Sequence, residues 1–156
     1  MNPTMIIRFV PRHFVPGKSN DKPTIKSVAA YIEQNIGSSV PRGVGNCVIK
    51  SVSAVENMPY SEAVSIFQTY RPKGGVKHWE VMRYFDMGDR KLGGYYSRVG
   101  DAWETKTVMG FAKRYSRGKY VVMVHGHLVS VIVGVIMDDW NSSKRRLIMA
   151  WQWIGA

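Results

Sequence analysis

The chain has 156 residues, 45% of them hydrophobic, and carries 22 lysines and arginines against 11 aspartates and glutamates, a formal charge of +11. That length predicts one domain spanning 1–156 with room for a real core, and a single cysteine excludes an internal disulfide. The longest apolar run, "LVSVIVGVIM" at 128–137, is too short to span a bilayer, and "MNPTMIIRFVPRHF" lacks the pattern of a signal peptide, so a cytoplasmic protein with no membrane partner is expected.

In chain order, about residues 1–23 predict an extended arm with a strand at "MIIRFV". A helix over about 24–35 follows from the spacing of Ile25, Val28, Ala29 and Ile32, with Gly37 as its stop. Gly43 and Gly45 loosen the backbone ahead of a second helix from Cys47 to about Asn57, for which Asn46 is a good N-cap. A third begins after Pro59, capped by Ser61, and ends before "RPKGG". "VKHWEVMRYFDMGD" (76–89) predicts a helix closed by Gly88, and "GGYYSRV" (93–99) a strand. "ETKTVMGFAKRYSRG" (104–118) predicts a helix opened by Thr105 or Thr107 and closed at Gly118. Beyond Gly118, "KYVVMVHG", "HLVSVIV", "VIMDDW" and "RRLIMAWQW" are β-rich segments with tight turns, an antiparallel meander. Helices first and a sheet last is the pattern of an α+β domain.

The basic residues concentrate only at "KSNDKPTIK", "RPKGGVK", "KRYSRGK" and "SKRR", each near a loop or helix end. Such clusters read as solvated surface, so weak, sequence-independent nucleic-acid binding is expected.

Cys47 at a helix start feels the positive end of the helix dipole, which favours thiolate. Of the four histidines, His13 in the arm and His78 at a helix start read as surface. His125 and His127 are two apart on one predicted strand and so face the same side. A metal would need further ligands that the sequence does not supply, so no metal or other cofactor is expected. A two-residue turn at Val133 and Gly134 puts Trp140 opposite His127 and Asp138 on the diagonal. A turn one residue longer would put Asp139 opposite instead; either register sets a carboxylate beside His127.

The segments "GNCVIKSVSA" (45–54), "YSEAVSIF" (60–67), "KTVMGFAKRYSRGKYVV" (106–122) and "GHLVSVIVGVIMDDW" (126–140) occur in an order and spacing that resembles the small phage-type papain-like cysteine peptidases. The resemblance covers residues 45–67 and 104–153. It implies a papain-like fold, with N-terminal helices packed on a C-terminal antiparallel sheet. By position it makes Cys47 the nucleophile, His127 the base and Asp138 the orienting acid, with no role for His125. It also implies a protein or peptide substrate and, for a phage-encoded chain, the host cytoplasm. These enzymes carry a glutamine shortly before the cysteine to bind the oxyanion; here none lies between Pro41 and Cys47, leaving Asn46, Gln34 or backbone N–H groups as candidates.

The chemistry this implies is hydrolysis of a peptide or isopeptide bond through an acyl-enzyme. Acyl transfer by the same three residues is the enzyme-class rival. The different-class rival is a basic binding protein that uses the arm and the "SKRR" turn without catalysis.

Overall fold

The computed structural model describes residues 24–43, 45–86 and 96–155. The expected arm with its strand and His13, the Gly88 helix stop and the opening of "GGYYSRV" lie outside the described residues. In chain order the elements are β1 (Ile25–Lys26), α1 (Val28–Asn35), α2 (Cys47–Glu56), α3 (Tyr60–Ile66), α4 (His78–Phe85), β2 (Tyr96–Arg98), a 3-10 turn (Ala102–Thr105), α5 (Val108–Arg114), β3 (Lys119–Val124), β4 (His127–Ile132), β5 (Val135–Met137) and β6 (Met149–Trp153). The fold is mixed α+β.

Local chemistry sets the helix ends. Ser27 caps α1 by accepting from the Ala30 N–H at 3.1 Å, and Gly37 follows the helix with φ +75°. The helix therefore starts at Val28 rather than Thr24. Ile25 and Lys26 are drawn off as β1 because backbone groups of β5 reach them: the Ile136 N–H donates to Thr24 O and the Asp138 N–H to Lys26 O, both at 2.9 Å. Pairing with a distant strand overrides the helical spacing. Ser61 is likewise no cap. α3 starts directly after Pro59, and Ser38 Oγ accepts the Tyr60 N–H at 2.8 Å. Thr107, not Thr105, opens α5, its hydroxyl accepting from the Gly110 N–H at 3.0 Å.

The strands form one sheet in the order β1-β5-β4-β3-β6-β2. The β3-β4-β5 part is the expected antiparallel meander. β6 departs from it by crossing to the far side of β3, where Val121 faces Trp151, and β2 pairs beyond it. The edge of β5 that a meander would offer to β6 is already filled by β1, which runs parallel to β5 with Ile25 opposite Ile136.

Alternation along the strands gives the sheet two buried faces. Val121, Met123, Leu128 and Trp151 pack in one cluster with Ile32 of α1, Ile49 and Val52 of α2, Ala63 of α3 and Phe85 of α4. Tyr120, Val122, Val129 and Ile136 form the other with Val108, Phe111 and Ala112 of α5. The helices before the sheet thus cover one face only, and α5 covers the opposite one. No helix among the described residues is long and apolar enough to cross a membrane.

The β4–β5 turn is strained at one residue. Val133 has φ +50° and Gly134 φ +75°, the backbone of a type I′ turn, which suits asparagine and glycine but not a β-branched side chain. Val133 is 63% exposed, so no packing compensates. Val133→Asn should raise stability by about 1 kcal/mol, a gain of roughly 2–4 °C in Tm. A thermal melt unchanged or lowered would contradict this.

Candidate active site

The segment before α2 is held by backbone packing. A side chain at Gly45 (φ +85°) would lie 2.8 Å from the carbonyl carbon and oxygen of Lys73, and one at Gly75 would lie 3.0 Å from Gly45 O. Only glycine at these two places lets the loop 71–75 lie against the approach to Cys47. The loop is itself closed, since Arg71 O accepts both the Gly74 and Gly75 N–H groups, at 3.0 and 2.8 Å.

Asn46 precedes α2 but its side chain makes no cap hydrogen bond. The amide is 4% exposed and donates to Pro41 O at 3.3 Å and Tyr60 Oη at 3.1 Å. It braces the loop instead, which leaves the first-turn N–H groups of α2 without a side-chain cap. Cys47, the first residue of the helix, is half-buried.

The partner histidine stands at the start of β4. β3 and β4 are joined by a two-residue turn, His125–Gly126, with Val124 opposite His127 and Gly126 at φ +69°. His125 is thus an exposed turn residue, not a strand neighbour on His127's face as its spacing predicts. On the other side of β4 the register has Ser130 opposite Met137, the shorter-turn alternative. Asp138 therefore falls just past the end of β5, diagonal to His127.

His127 Nε2 lies 3.1 and 3.0 Å from the two Asp138 oxygens. Asp138 is buried and accepts further bonds from Ser142 Oγ at 2.6 Å and the Asp139 N–H at 2.8 Å. With Nε2 engaged, Nδ1 is left to meet Cys47, with which the imidazole shares a hydrogen bond. The Trp140 ring lies over the imidazole at 4.3 Å between centroids, and the Arg145 guanidinium sits 5.2 Å from the Trp140 ring. His127 is only 11% exposed in its side chain.

The electrostatics follow from these contacts. Burial pushes the Cys47 thiol up, but the hydrogen bond and charge of His127, a backbone bond from Leu128 and the charge of Lys50 outweigh it, and the net shift is downward. Burial disfavours the imidazolium of His127, yet Asp138 and Cys47 together raise its pKa to about 9. The pair thus favours thiolate–imidazolium over thiol–imidazole.

Asp139 has a separate role. It accepts from Lys50 Nζ at 2.5 Å, from Ser27 Oγ at 2.6 Å and from the Ala29 N–H at 3.3 Å. It joins the starts of α1 and α2, and although burial pushes its pKa up, Lys50 and Ser27 bring it below the ordinary value. The two adjacent aspartates, interchangeable in sequence, are separated by what each meets. Of the side chains weighed for an oxyanion, Asn46 is committed elsewhere and Gln34 is exposed on α1. Sequence reasoning missed Lys50 and Ser142. A lysine one turn after the cysteine was the available signal for the first, and nothing marked the second.

A cleft of about 590 Å³ opens over Cys47 and His127. Val48, Val81, Met123, Leu128 and Ile148 line it, with the 73–76 loop, His78 and His125. Among the described residues, no three histidines, cysteines or carboxylates are grouped to hold a metal. Set against known protein families, curated proteins and solved structures, the chain matches none.

Proposed function

We propose that this protein is a cysteine-dependent hydrolase of peptide or isopeptide bonds, built on a papain-like arrangement as the phage-type resemblance implies. The observation that carries the reading is the chain of contacts from Cys47 through His127 to the buried Asp138. Supporting it, the thiol sits at the N-terminus of a helix packed against the strand that carries the histidine.

In that mechanism the Cys47 thiolate attacks the acyl carbon, and the carbonyl electron pair moves onto oxygen. The N–H groups that open α2, which no side chain caps, are available as donors to this oxyanion. As the tetrahedral species collapses, the C–N bond breaks and the His127 imidazolium gives its proton to the leaving amine, leaving a thioester on Cys47. Neutral His127 then takes a proton from water. The hydroxide adds to the thioester, the C–S bond breaks, and the products are a carboxylic acid and the restored ion pair. Asp138 keeps Nε2 protonated and the ring in place throughout.

The thiolate exists above the lowered Cys47 pKa, and the imidazolium persists up to about pH 9. Thiol alkylation should therefore begin below the pH at which a free cysteine reacts, whereas acyl-enzyme formation from an amide should also decline as pH passes 9 and the acid is lost. The direct test uses p-nitrophenyl acetate. A burst of p-nitrophenol matching the protein concentration, with an acetyl group on Cys47 by intact mass, is expected. Iodoacetamide reactivity following an ordinary thiol, with no burst, would overturn the proposal.

A further inference from the structure

We infer that the cleft over Cys47 takes a peptide whose acyl portion pairs an apolar side chain with a carboxylate, and that Lys73 selects for the carboxylate. The inference rests on the nucleophile reading and adds the chemical class of the substrate.

Three observations carry it. None of the described residues lining the cleft is acidic, while Lys73, His78 and His125 all lie on it. Its remaining wall is apolar: Val48, Val81, Met123, Leu128 and Ile148. Most important, Lys73 is not a lysine on a free loop. Its backbone, at φ +73°, is pressed against Gly45 so closely that a single methyl group there would overlap it. The left-handed region is unfavourable for a lysine, and the closed 71–75 loop holds it there, against a glycine two residues before Cys47. Of the "RPKGGVK" cluster, which as sequence reads as solvated surface, residues 73–76 line the cleft in this fold, and Lys73 is the basic residue among them. A lysine whose backbone is held beside an apolar wall, with no acidic residue among the described lining of the cleft, complements an acidic and apolar ligand.

The test compares matched chloromethyl ketones, whose chloride the Cys47 thiolate displaces to leave a thioether. Acetyl-Leu-Glu and acetyl-Glu-Leu chloromethyl ketones are each paired with their glutamine counterpart, which has the same shape without the charge. At low ionic strength at least one glutamate probe should inactivate about tenfold faster than its glutamine partner, and the ratio should fall toward one as salt is raised. In Lys73→Ala the ratio should approach one, and in Lys73→Glu drop below it. A ratio within one variant cancels any general loss of folding or reactivity. Equal rates for both pairs in the wild-type protein, or a ratio that Lys73→Glu leaves intact, would overturn the inference while the nucleophile reading stands. Glutamine probes no faster on the wild type than on His127→Ala would overturn that reading, and this inference with it.

Discussion

Replacing His127 by alanine is expected to lower the iodoacetamide alkylation rate of Cys47 near pH 6 by at least about tenfold. The thiolate there is supported chiefly by the histidine's hydrogen bond and positive charge, against a burial that favours the neutral thiol. With the imidazole gone, burial remains and only Leu128 and Lys50 oppose it. Asp138 also loses its main partner, so about 1–3 kcal/mol of stability should go with the reactivity. A companion measurement separates the two effects, because rates are taken well below the denaturation midpoint of each variant. Asp138→Ala should lower the rate less, since it positions the ring and does not touch the thiol. Asp139→Ala should act mainly through Lys50 and cost least. A pH profile unchanged in His127→Ala, or one lost more completely in Asp139→Ala than in Asp138→Ala, would refute the assignment of roles.

Trp151→Ala is expected to cost about 3–5 kcal/mol, the largest loss of stability from a single side chain in this fold. Trp151 is fully buried on β6. It stacks on Phe85 of α4 with ring centroids 5.4 Å apart. Its indole N–H donates to Asp86 at 3.1 Å, and Asp86 in turn takes the Arg98 guanidinium at 2.8 and 2.7 Å. One side chain therefore ties a central strand, a helix and the outer strand β2. Trp151→Phe keeps most of the ring volume but drops the donor, and should cost about 1–2 kcal/mol. Urea midpoints falling in that order, with an unchanged slope, would support this. A loss below 1 kcal/mol for the alanine variant would contradict it.

How far the sequence disclosed the site depends on the distance along the chain over which each contact is made. The Asp138–His127 pair belongs to one hairpin, and a two-residue turn fixes its register, so pattern alone could narrow it to two aspartates. Cys47 was visible as the sole cysteine beside a helix start. By contrast, no local pattern links Lys73 to Gly45 or Asp139 to Lys50. Both contacts depend on which loops and helices come together in the folded chain. The same limit explains β1: Ile25 fits a helix by spacing, and only the bare edge of β5 makes it a strand. Asn46 has the composition of a cap and a different function, because Tyr60 and the Pro41 carbonyl compete for its amide and win.

The parallel pairing of β1 with β5 bears on the order in which the protein is made. Ile25 and Ile136 must meet across most of the chain, and Asp138, which settles the histidine, follows directly after. During synthesis α2 and its cysteine leave the ribosome long before β4 and β5 exist, so the nascent chain carries an ordinary thiol with no base beside it. Contacts of such long sequence separation form late. A chain stalled or truncated before residue 138 would carry only that ordinary thiol, and Cys47 would gain its histidine, held by Asp138, only once the sheet had closed.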